Sequence, residues 1–84
     1  MKHKLKIEQH YLDALLDGSK TFEIRLKDRG YQKGDTLEFH DPFCIPSLVA
    51  DCRNYHFKVT YVHSGLGLAP NYVVMSVVRQ EVGE

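Results

Sequence analysis

The chain contains no tryptophan, only three prolines and only two cysteines in 84 residues. Each shortage excludes something. Two cysteines cannot supply the framework of a disulfide-dense secreted domain, so hydrophobic burial must do most of the folding. No apolar run approaches the roughly 18 residues that a membrane helix requires. Met1 to Lys6 alternates basic and apolar residues without the apolar stretch of a secretory leader. Together these absences lead us to expect a cytoplasmic protein with reduced thiols and no membrane association. An excess of charge is missing too. Eleven Lys/Arg balance eleven Asp/Glu, which argues against a protein that coats nucleic acid through overall charge.

What the chain does have is an ordinary globular composition, 43% hydrophobic and 26% charged. That composition can fold, and residues 1–84 are expected to form a single domain. A chain this short buries only about 60–65% of its unfolded surface, so the core is thin. Charge is distributed unevenly along it. Residues 1–33 hold eight of the eleven basic residues and five of the eleven acidic ones. The first part is therefore +3 and the remainder −3, which is compatible with a local basic patch on a neutral protein, or with two solvated faces of unequal charge.

Hydrophobic period then divides the chain. His3 to Ile7 alternates, with Leu5 and Ile7 inward, and reads as a first strand. Glu8 to Asp17 places Tyr11, Leu12, Leu15 and Leu16 at helical spacing, and Gly18 is suited to a left-handed helix end. From Lys20 to Leu26 the period becomes two. Phe22, Ile24 and Leu26 are expected inward, and Thr21, Glu23 and Arg25 on the open side. Thr36 to His40, His56 to His63 and Tyr72 to Val78 read as further strands, the last apolar enough to be covered on both faces. In the second of these strands Phe57, Val59, Tyr61 and His63 share one side. Asp41 to Tyr55 has no clear period, and Glu81 to Glu84 should fray. One helix among five to six short strands makes an α+β fold, a small curled sheet or barrel.

The string Gly18-x-Lys20-x-x-Glu23-x-Arg25, preceded by a short helix and followed by a Gly34-Asp35 turn into a strand, resembles the signature of the ASCH domain (activating signal cointegrator homology). The similarity extends from Leu5 to about Val78 and is nearest to a bacterial and phage subfamily of ASCH-like proteins without an assigned function. It implies a PUA-like β-barrel with one main N-terminal helix and a cleft beside the signature strand. The ligand so implied is RNA or a nucleotide-like molecule, with no cofactor and no metal.

From spacing alone, Lys20, Glu23 and Arg25 read as an exposed ion pair worth a fraction of a kcal/mol. The resemblance turns them toward the cleft. There Lys20 and Arg25 would meet phosphate or a base carbonyl, while Glu23 orients them or reads an exocyclic amine. Arg29 in the following loop would extend the phosphate-contacting surface, with Lys27 a weaker candidate. Tyr31 and Phe43, outside the regular patterns, are the rings that could stack on a base, although Tyr31 better suits a plug at one barrel end. Asp28 and Asp35 are expected to organise the loop rather than touch a ligand.

Two other readings are open. Some compact ASCH proteins hydrolyse acetylated cytidine with a lysine, a threonine three residues later and a distant glutamate. Lys20 matches the first, but Glu23 occupies the threonine position and His56–His63 offers no glutamate. An amidohydrolase acting on an acylated nucleoside is thus the alternative and not the expectation. A protein-interaction module is the other, with Phe43, Ile45 and Leu48 as its apolar patch. His40, Cys44, Cys52 and His56 carry zinc-type chemistry but lack the close cysteine pair of structural sites. Buried free thiols are expected instead, without a Cys44–Cys52 disulfide.

Overall fold

A computed structural model of the chain describes residues 1–45, 48 and 52–80. Among these residues lie strand β1 (Lys2–Leu5), helix α1 (Gln9–Asp17) and strands β2 (Phe22–Leu26), β3 (Thr36–His40), β4 (Asn54–Ser64) and β5 (Tyr72–Gln80). The expectation for Glu81 to Glu84, and part of that for Asp41 to Tyr55, falls outside the described residues. The strands form one sheet in the order β1-β3-β4-β5-β2, with β1 parallel to β3 and every other pair antiparallel. The result is a small α+β fold, a mixed five-stranded sheet curled into a half-barrel with a short helix near its N-terminus.

Alternation explains the core. Leu37 and Phe39 of β3, Phe57 and Val59 of β4, and Val73, Met75 and Val77 of β5 all point to the concave side and are buried. Leu12 and Leu15 of α1 close over them. The helix begins where the amides of Tyr11 and Leu12 donate to the carbonyl of Glu8, at 3.1 and 3.0 Å. It stops at Gly18, whose φ of 86° is left-handed backbone that an L side chain resists. The Lys20 amide then donates to the Ala14 carbonyl at 3.0 Å, so the turn delivers Lys20 to the start of β2 at a fixed position.

Four expectations need correction. First, β1 ends at Leu5 and not at Ile7, because the chain leaves the sheet there to enter the helix. Second, β5 is covered on one face only. Tyr72 and Val78 remain 38% and 52% exposed, since the single helix covers the concave side. Third, β4 contains a bulge between Val59 and Tyr61, where two residues face one on β5. The extra residue reverses the alternation. Val62 packs on the core, and Tyr61 is 63% exposed instead of sharing the side of Phe57.

The fourth concerns the cysteines. Cys44 and Cys52 are joined as a disulfide, with Cα atoms 5.6 Å apart. Cys44 follows β3 and Cys52 precedes β4, and the antiparallel pairing of these two strands brings the cysteines within bonding range. Their sulfurs are therefore committed to each other and not to a metal. His40 and His56 face Asn54 and Glu38, at 3.1 and 2.8 Å.

Two of the buried carboxylates, Asp35 and Glu38, belong to the β1–β3 end of the sheet. Asp35 contacts His3 Nε2 at 2.8 Å and accepts from the Gln32 amide at 2.9 Å and the Met1 amino group at 3.1 Å. It organises the 32–35 turn, as its position before β3 suggested. Burial pushes its carboxyl up, but the bonds from His3, Gln32 and Met1 outweigh burial and hold it below the usual carboxylate value. Glu38 behaves alike. Burial raises it, and His56 at 2.8 Å with Lys2 at 3.2 Å bring it lower.

A group whose folded pKa is depressed stabilises the fold above its unfolded pKa, and that contribution is lost as pH falls through the folded value. For Asp and Glu the unfolded values are about 3.9 and 4.3. The contribution of Asp35 and Glu38 should thus be intact at neutral pH and disappear below about pH 4. Urea titrations at stepped pH check this, with Asp35→Asn expected to shrink the acid loss. An equal acid loss in Asp35→Asn and the parent chain would refute the assignment to Asp35.

Candidate functional site

The signature strand sits at the edge of the sheet and turns opposite to its hydrophobic pattern. Phe22, Ile24 and Leu26 are 43%, 50% and 52% exposed, whereas Glu23 is 3% exposed. The expected inward trio faces out, and the acid faces in. A buried charge is tolerated only when it is paired and hydrogen-bonded, and here the sequence supplies both partners within two or three residues. Lys20 Nζ bonds to Glu23 Oε1. Arg25 donates through Nε to Glu23 Oε2 at 3.0 Å and through Nη2 to the carbonyl of Lys6 at 2.8 Å.

Ring faces complete the setting. The Lys20 ammonium lies 4.7 Å from the Tyr11 ring centre and 5.3 Å from that of Phe22. The Arg25 guanidinium lies 5.5 Å from that of Phe39. Cations held against aromatic faces gain from the ring quadrupole, the more so when partly desolvated.

Around this trio opens a groove of about 860 Å³. One wall is β2 itself with Tyr72, and the other is the segment Lys6, Ile7 and Glu8 with Tyr11 of α1. Lys20, Glu23 and Arg25 all border it, so the three residues share one concavity and do not splay over a convex surface. The geometry offers an apolar trough with two cations that share one carboxylate, and three half-exposed rings, Tyr11, Phe22 and Tyr72, along its length.

The remaining candidates lie elsewhere. Tyr31 is 9% exposed and packs on His3, with ring centres 4.8 Å apart. Burial pushes its phenol above the usual value, against the pull of Arg29 and Arg25. Arg29 pairs with Asp28 at 3.3 Å and stands 5.9 Å from the Tyr31 ring centre. Neither is among the groove-lining residues. Phe43, Ile45 and Leu48 are exposed, at 79%, 51% and 78%.

Sequence reasoning missed Tyr11, Tyr72, Ile7 and the backbone edge of β2. Tyr11 had the helical spacing of a core residue. The useful signal was that Leu12 and Leu15 already complete the buried stripe of a nine-residue helix, leaving Tyr11 at its margin.

Comparison with known proteins places the chain. Residues 2–77 match the family model described as "Domain of unknown function (DUF3850)". A 39-residue stretch is 46% identical to a protein of Escherichia phage P2 named "Uncharacterized 12.9 kDa protein in GpA 3'region". That stretch is 46% of this chain and 36% of the phage protein, so the match spans about a third of its relative. With the family model covering nearly its whole length, the chain belongs to the DUF3850 family.

Proposed function

We propose that the groove beside β2 binds a nucleotide-like ligand, either free or as an exposed nucleotide of RNA. The convergence of Lys20, Glu23 and Arg25 in one concavity carries this reading, and the resemblance to the ASCH signature supports it. Charge sets the scale of the ligand. Two cations share one carboxylate, and Lys6 is offset by Glu8 on the opposite wall, which leaves about one positive charge for one phosphate. That is too little to track a long phosphate backbone, and the aromatic walls favour a base. Thr21 is exposed and outside the groove walls. Neither Ser19 nor Thr21, the hydroxyls of the signature string, lines the groove, which supports binding over acyl transfer.

Calorimetric titration with nucleoside monophosphates and short single-stranded RNA, at low and moderate salt, tests this. Lys20→Ala and Arg25→Ala are each expected to weaken binding about tenfold or more, since a charge-assisted hydrogen bond contributes about 1.5–3 kcal/mol. The salt slope should correspond to about one phosphate contact. Absence of binding at low salt, or unchanged affinity in both variants, would end the proposal.

A further inference from the structure

Among the described residues β2 has β5 as its sole strand neighbour, so one of its edges is open there. Which backbone groups lie on that edge follows from the ladder. The Val77 amide donates to the Thr21 carbonyl at 3.0 Å, and the Lys27 amide to the Asn71 carbonyl at 2.6 Å. Register pairs Glu23 with Met75 and Arg25 with Val73 between these two bonds. In an antiparallel pair the N–H and C=O of one residue point to the same side, and the side alternates along the strand. Thr21, Glu23, Arg25 and Lys27 therefore bond β5. Phe22, Ile24 and Leu26 turn their amides and carbonyls to the open edge.

Those three residues also line the groove. Each presents a donor and an acceptor side by side, at a place where water is the competing partner, because all three are half-exposed. Ile24 stands centrally among them, between the Glu23 and Arg25 side chains that point into the concavity. Every base carries an adjacent donor and acceptor on its pairing edge, and such an edge matches an extended residue's N–H and C=O. Tyr11, Phe22 and Tyr72 provide faces for stacking close by.

From this juxtaposition we infer that the ligand is a base-bearing nucleotide whose pairing edge is read by the backbone of β2, centred on the N–H and C=O of Ile24. The inference rests on the nucleotide reading of the groove and adds to it. The side chains Lys20 and Arg25 hold the charge, while recognition of the heterocycle belongs to main-chain groups. Discrimination by such groups depends on strand position and not on the identity of the side chain at residue 24.

The test compares the four ribonucleoside monophosphates with ribose 5-phosphate, which has the same charge and no base. The tightest-binding monophosphate is expected to exceed ribose 5-phosphate by about tenfold or more. Ile24→Pro removes the edge amide without removing a ladder bond, and proline is accepted on edge strands. It should collapse that ratio to about one, whereas Ile24→Val keeps it. In case Ile24→Pro does not fold, the Ile24 amide resonance of the parent chain supplies a second measurement. It should shift on addition of the monophosphate and stay in place with ribose 5-phosphate.

Equal affinities for the two ligand types, a ratio that persists in folded Ile24→Pro, or an unmoved Ile24 amide at saturation would overturn the inference and leave the groove reading standing. If none of the five compounds bound, both would fall. A dimer that Ile24→Pro converts to monomers would assign the open edge to a second copy of the chain, and would overturn the inference as well.

Discussion

Glu23→Gln is expected to destabilise the domain by about 3–5 kcal/mol, the range for removing one partner of a buried ion pair. Glu23 is 3% exposed and faces two cations whose side chains are 14% and 22% exposed. Its loss leaves Lys20 and Arg25 charged, half-buried and facing each other. A domain of this size has a total stability of about 4–13 kcal/mol at 0.05–0.15 kcal/mol per residue, so the variant should lose much of it. Denaturant unfolding measures the change. A loss under about 1 kcal/mol would mean that water already screens the trio as it does a surface pair. The combination of Glu23→Gln with Lys20→Met removes one of the stranded charges, and should recover part of the deficit.

Phe39→Ala should be comparably severe, at about 3–5 kcal/mol for a large core side chain replaced by a methyl group. Phe39 is fully buried in β3, with its ring 5.9 Å from that of Phe57. What separates it from other core positions is the guanidinium of Arg25 lying over its face at 5.5 Å. Val77→Ala, at the 5%-exposed end of the core, should lower stability without touching the groove. Phe39→Ala should do both. Thermal and denaturant unfolding, joined to the nucleotide titration at a temperature where both variants are folded, tells them apart. Ligand affinity preserved in Phe39→Ala would show that Arg25 keeps its place without the ring beneath it.

The sequence makes some of this legible and conceals the rest for physical reasons. Thr36–His40 coincides with β3, because Leu37 and Phe39 alternate with polar neighbours and a glycine turn precedes them. Gly18 marks the helix end because few other residues accept its backbone angle. Period-two patterning shows that Glu23 and Arg25 share a side of β2 but not which side faces inward. Hydrophobicity chose Phe22, Ile24 and Leu26, and mutual pairing of the charges decided otherwise. The bulge in β4 left no trace in the sequence, for neither glycine nor proline marks it. Cys44 and Cys52 reveal no partner by spacing alone, since the antiparallel pairing of β3 with β4 that brings them together is a property of the fold. Tyr31 lies outside the alternating patterns, so the sequence offers both stacking and a plug, and packing on His3 puts it in the core.

The bond from Arg25 Nη2 to the Lys6 carbonyl joins the two rims of the half-barrel, which no strand ladder zips together among the described residues. A single guanidinium acts there as a hasp across the aperture. Undoing it costs about 1.5–3 kcal/mol, the worth of one charged hydrogen bond, while every pairing within the sheet survives. A ligand of the proposed kind would offer its anion to the same guanidinium that ties the two rims together.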